Sequence, residues 1–161
     1  MSPRILVLLP LLLAGCLDDT ASVRLGGNDH ALTLQARQPY FWSQAVELEV
    51  VMSRQPDCHR RSRLAGATIA DLGVEVFRPD EGEFAEPILI LRRGADFYAV
   101  STKSCEMQKF KAPPVKHGKR LGIFQREGGK LEFAAAPVPR APAPAPAPAP
   151  SGPPSVSPPP Q

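Results

Sequence analysis

Ile88-Leu89-Ile90-Leu91-Arg92-Arg93-Gly94-Ala95-Asp96-Phe97-Tyr98-Ala99-Val100-Ser101 is the stretch on which the fold turns. An unbroken apolar run at 88–91 meets the turn-forming residues Arg93-Gly94-Ala95-Asp96, and a second run of strand-favouring residues follows at 97–101, a pattern that predicts a β-hairpin. The first run offers no polar side chain to solvent, which predicts a strand covered on both faces. Further along, Leu121-Gly122-Ile123-Phe124-Gln125 and Lys130-Leu131-Glu132-Phe133 flank Glu127-Gly128-Gly129 and predict a second hairpin, because paired glycines admit the positive φ angles of a tight turn. Towards the N-terminus, Val74-Glu75-Val76-Phe77 and Ala31-Leu32-Thr33-Leu34 are shorter candidates. Between them Ala45 to Met52 alternates cleanly, with Val46, Leu48 and Val50 on one face and Glu47 and Glu49 on the other.

No ten-residue window carries a convincing helical stripe; Leu64 to Leu72 comes nearest and is weakened by Gly66 and Gly73. Residues 29–134 therefore read as a mainly β domain of six to eight strands, a small antiparallel sandwich or partly open barrel. Phe97, Phe124 and Phe133 are expected in its core. About a hundred residues can bury a working core, although a covalent staple helps at that size.

The two ends differ from this middle. Met1-Ser2-Pro3-Arg4 is a short positive start, Ile5 to Leu13 is apolar, and Leu13-Ala14-Gly15-Cys16 follows at once. That is the form of a secretory signal. Its apolar stretch is about half the roughly 20 residues that a spanning helix needs, and it contains Pro10. Residues 1–15 are expected to be removed, with 16–28 serving as a lipidated linker. At the other end, residues 135–161 form a Pro/Ala-rich tail: twelve of the twenty-five residues from Pro137 to Gln161 are proline. Lacking apolar bulk and backbone donors, the tail is expected to be disordered and extended, reaching roughly 75 Å at ~3.1 Å per residue.

The segment Leu13-Ala14-Gly15-Cys16 resembles the lipobox of bacterial lipoproteins, and the folded middle resembles small uncharacterised proteobacterial lipoproteins in general form only. The first resemblance implies cleavage before Cys16, a diacylglyceryl group on its sulfur and usually an acylated amine. Several acyl chains at ~0.8 kcal/mol per buried methylene make an effectively permanent membrane anchor. No other cofactor is implied. Leu17 rather than aspartate follows the cysteine, which by resemblance to enterobacterial sorting implies the outer membrane, facing the periplasm.

With Cys16 assigned, Cys58 and Cys105 remain as an even pair in an oxidising compartment and are expected to form a structural disulfide. This raises a local conflict. If Cys58 points inward, strict alternation turns Arg60 inward too, and an unpaired buried arginine is too costly. The strand is then at a sheet edge, or bulged, or Arg60 pairs with Asp57 or Glu106.

Net charge is +3, or +2 once Arg4 leaves with the signal, too little for the positive field of a nucleic-acid binder. Positive residues are clustered, however: His59, Arg60, Arg61 and Arg63 form one group, and Lys109, Lys111, Lys116, His117, Lys119 and Arg120 another. A disulfide would bring the first near the start of the second. The two readings are a solvated, acid-balanced face, which charge runs usually are, and a surface for an anionic partner such as anionic lipid or peptidoglycan. In Gln38-Pro39-Tyr40-Phe41-Trp42-Ser43, the aromatics Tyr40, Phe41 and Trp42 are expected to pack as core or lid; exposed, they would instead form a contact surface. The histidines His30, His59 and His117 lack metal-binding spacing, and no nucleophile elbow, zinc-protease, P-loop or dinucleotide motif occurs, so neither catalytic residues nor a metal site are assigned. The expectation is a non-catalytic envelope lipoprotein that binds or scaffolds an envelope protein, peptidoglycan or anionic lipid and no nucleic acid. The alternative is an envelope enzyme, or an accessory to one, acting on glycan or lipid.

Overall fold

The computed structural model describes residues 17–137. The signal segment, Cys16 and the tail from residue 138 onward lie outside the described residues. The described residues are all β, in two antiparallel sheets. The first holds β1 (Asp18–Gly26), β2 (His30–Arg37), β3 (Ala45–Arg54) and β4 (Cys58–Arg63) in that order, with β5 (Ala67–Thr68) also paired to β3. In the second, β6 (Val74–Arg78), β7 (Ile88–Arg93), β8 (Asp96–Ser101) and β9 (Met107–Lys109) run outward from β10 (Lys119–Glu127), whose other neighbour is β11 (Lys130–Ala135). Neither sheet closes on itself. Among the described residues no helix is long and apolar enough to cross a membrane.

Alternation builds the core. Leu32, Leu34 and Ala36 of β2 and Val46, Leu48, Val50 and Met52 of β3 turn inward, as the period-two pattern requires, and meet Val74, Val76, Leu89, Leu91, Val100 and Phe124 of the other sheet. Phe97 and Phe124 are buried and Phe133 is half-buried. Both predicted hairpins form. The first turns on Gly94-Ala95, flanked by the pair Arg93 and Asp96; the second turns on Gly128 and Gly129, both at positive φ.

The apolar run at 88–91 is covered on both faces, as expected, and the cover comes from an irregular segment. Leu89 and Leu91 face the inter-sheet core, while Ile90, on the outer face, is also fully buried. Residues 110–118 lead from edge strand β9 to β10 across that outer face, and the His117 ring lies 4.9 Å from Phe97 and 5.5 Å from Phe77. Gly118 ends the crossing at φ +75, where a Cβ would stand 2.1 Å from the Arg78 carbonyl oxygen. Only glycine fits there.

Two expectations are corrected. Residues 18–26, read as part of a linker, are β1, paired in register with β2 from Asp18↔Arg37 onward. The strand buries Ala21 fully and packs Val23 and Leu25, on the same face, half-buried against the core, in addition to its backbone pairing. Eleven strands occur among the described residues where six to eight were expected; β5 and β9 are two and three residues long, too short to leave a periodic trace.

The Cys58–Cys105 disulfide joins β4 of one sheet to the segment after β8 of the other, with Cα atoms 6.0 Å apart. Its 47-residue separation corresponds to about 4 kcal/mol in the chain-entropy account. The Arg60 conflict resolves in two of the ways foreseen: β4 is a sheet edge, and the Arg60 guanidinium meets Glu106 at 2.9 Å. Asp57 pairs with Arg54 instead.

Strand directions give the sandwich two unlike ends. One, here called proximal, gathers Leu17, the β2–β3 loop, the crossover 64–73 and the β10–β11 turn. Leu64, Ala67 and Leu72 plug it, and Arg93 clasps the crossover through the Asp71 carboxylate (3.0 Å) and carbonyl (2.9 Å). The distal end, one β1 length or roughly 30 Å away, holds the β1–β2 and β3–β4 turns, the loop 79–87 and the disulfide.

Candidate functional site

The β2–β3 loop carries three bulky aromatics in succession at a reversal of the chain, where they cannot all turn inward. Tyr40, Phe41 and Trp42 are 57%, 65% and 69% exposed, which overturns the expectation of core or lid packing. They pack on one another instead. The Tyr40 and Trp42 rings stack at 5.2 Å, and Phe41 meets Trp42 edge-on at 4.6 Å. The loop is held from beneath by Gln38, a buried side chain whose amide nitrogen donates to the carbonyls of Phe41 (3.2 Å) and Ser43 (2.6 Å). Its amide oxygen accepts from the Leu17 backbone N–H (3.1 Å), and the Gln38 N–H donates to the Leu17 carbonyl (2.7 Å). One glutamine thus pins the loop to the first described residue of the chain. The Ser43 N–H closes the turn on the Tyr40 carbonyl at 3.0 Å.

The basic residues fall into a lattice of opposite charges. Glu49 accepts from Arg61 (3.2 Å) and Arg63 (3.4 Å), Arg60 has Glu106, and Lys109 meets Asp96 at 2.8 Å. The hydrogen bond from Lys109 to Asp96 holds the ammonium pKa above its ordinary value. His59 and Lys111 are exposed. The disulfide and the Arg60–Glu106 pair bring the start of the second cluster to the first, but Arg60, Arg61, Arg63 and Lys109 arrive paired with carboxylates. Exposed pairs of this kind contribute little to stability, so they organise the surface more than they stabilise it.

At the distal end a groove of about 500 Å³ opens between the loop 79–87 and the strand ends. Leu25, Phe84, Ile88 and Leu89 supply its apolar wall; Arg78, Asp80, Glu81 and Glu86 supply charge. His30 also lines it, with Nε2 buried and without a hydrogen-bond partner in the protein. Burial, first, and then the Arg54 guanidinium hold the His30 pKa below 6.5; Asp29 pulls it up and Arg78 pushes it down. Among the described residues no group of histidine, cysteine and acidic side chains gathers as metal donors.

Sequence reading singled out the aromatics but missed Gln38 and the groove. The glutamine had no signal beyond its place before the aromatic run, and the groove brings β1 and β2 together with the distant β6–loop–β7 segment. No protein-family model matches the sequence, and comparison with curated proteins and with solved structures returns no match.

Proposed function

We propose that this chain is a lipid-tethered protein of the bacterial cell envelope whose β-sandwich serves as a non-catalytic binding or scaffolding module. The tether is a lipid on Cys16, placed at the periplasmic face of the outer membrane. The Leu13-Ala14-Gly15-Cys16 pattern supports the tether, and the Cys58–Cys105 bridge agrees with an oxidising compartment.

The observation that carries the binding reading is the distal groove: an apolar wall formed by strand ends and the Phe84 loop, a charged rim and a volume in the range of ligand sites. Three carboxylates to one arginine give that rim an acidic balance, which suits a protein segment with apolar and positive side chains better than an anionic lipid or polymer. A photoreactive residue in place of Phe84, in the full chain in cells, is expected to give an envelope-protein adduct that Ile88→Arg abolishes. The same probe at Val115, 99% exposed, is the control. Equal adducts at both positions contradict the groove, and a Cys16→Ser chain that still incorporates a palmitate analogue contradicts the tether.

One observation favours the enzyme reading: His30 shares the groove with Asp80, Glu81 and Glu86. Turnover of isolated cell wall or envelope lipid that His30→Ala abolishes would establish it; the binding reading expects no turnover from either chain.

A further inference from the structure

We propose that the Tyr40-Phe41-Trp42 loop seats the proximal end of the sandwich in the headgroup region of the lipid bilayer, as a second, non-covalent contact beside the Cys16 lipid. This rests on the tether proposed above and names the surface that the tether brings to the membrane.

Three clustered aromatics at 57–69% exposure leave apolar ring surface in water that is favourable to cover. They also occupy one small, pinned loop rather than being scattered, which marks a contact surface. The lipid interface fits their chemistry: tyrosine and tryptophan present an apolar ring and a polar tip, the composition enriched at the headgroup level of membranes. Location then selects the bilayer over other occupants. Gln38, the base of the loop, bonds both the N–H and the carbonyl of Leu17. Cys16 precedes Leu17 directly in the sequence. A lipid on Cys16 therefore enters the bilayer at the foot of the aromatic loop, and the tether that fixes the chain to the membrane presents this loop to it.

Charge in the depression beside Leu17 is compatible. Arg126 and Lys130 line a shallow depression with Leu17 and Gln38, where they can face lipid phosphates. Of the two acids there, Asp19 is engaged internally, accepting from the N–H groups of Thr20 (2.8 Å) and Leu131 (2.5 Å), which leaves Asp18 exposed. Two linked contacts also change what the tether does. Acyl chains alone leave a domain free to tumble, whereas a rigid aromatic foot fixes which end faces outward.

Trp42 is the only tryptophan, so the unaltered chain carries its own probe. Full-length processed protein is reconstituted in phosphatidylcholine–phosphatidylglycerol vesicles with or without bromine on the acyl chains, and its intact mass is measured in parallel. The expected result is a diacylglyceryl mass on Cys16, blue-shifted Trp42 emission, loss of most of that emission in brominated vesicles, and weak quenching by aqueous acrylamide. Lipid present on Cys16 with Trp42 unquenched by bromine and open to acrylamide overturns this inference alone. Absence of lipid on Cys16 overturns the tether and this inference together. A blue shift that grows with protein concentration without vesicles assigns the loop to a second copy of the chain, and protection in cells but not in vesicles assigns it to a protein; either result overturns the bilayer contact.

Discussion

The two ends of the sandwich are finished by different means. The distal end is locked covalently: the Cys58–Cys105 bridge ties sheet to sheet, and the groove beside it has a charged rim over an apolar wall. The proximal end is closed by packing and hydrogen bonds, with Leu64, Ala67 and Leu72 as a plug and Gln38 as a pin, yet its most prominent loop leaves three aromatic rings in the open. A fold that covers even the outward-facing Ile90 has no shortage of means to cover apolar surface. The contrast teaches that the open rings are a feature of that end and not a general looseness of the domain.

The strongest way to break this contrast is at the distal staple. Cys58→Ala/Cys105→Ala is expected to lower stability by about 4 kcal/mol, read by guanidinium unfolding, while leaving Trp42 emission in the folded state unchanged. A change in that emission would mean that the ends are coupled. Next in size, Gln38→Ala removes the partner of Leu17 N–H and of the Phe41 and Ser43 carbonyls, and is expected to cost about 1–3 kcal/mol. It should also lower Trp42 fluorescence anisotropy, which tests the pin directly. Replacing the rings themselves should matter far less: Tyr40→Ser/Phe41→Ser is expected to shift stability by no more than about 0.5 kcal/mol. A larger loss would mean that the rings serve the fold.

The smallest effect is a pH dependence confined to the distal end. His30 is held neutral in the folded state by burial and by Arg54 and Arg78, against Asp29, so its folded pKa lies below 6.5. As pH falls through 6.5 the unfolded chain takes up a proton that the folded chain does not, and stability decreases until the folded pKa is passed. Above 6.5 both states are neutral and the contribution is full. His30→Gln should flatten that part of the stability–pH curve, measured by thermal melts between pH 5 and 8.

Much of this architecture was legible in the sequence because alternation reports burial directly: Val46, Leu48 and Val50 face inward, and the unbroken Ile88–Leu91 run lies between two covers. The disulfide was expected from the even pair left once Cys16 was set aside; that it joins the two sheets was not legible. The strand β1 was passed over although Ala21, Val23 and Leu25 alternate with Ser22 and Arg24, because the stretch is short, buries only Ala21 fully and carries Asp19 on its inward face. The exposure of Tyr40, Phe41 and Trp42 was illegible for a different reason. Composition gives a residue's average preference for the interior, and an outward-facing aromatic cluster is a local exception that only tertiary structure reveals.

The central claim is that the two ends face different media, and moving the tryptophan tests it most directly. In brominated vesicles, Trp42 in the natural chain should be quenched, whereas the tryptophan of a lipidated Trp42→Phe/Glu81→Trp chain, on the distal loop, should keep its emission and stay open to acrylamide. Equal quenching at both positions, or quenching at the distal one alone, would contradict the account.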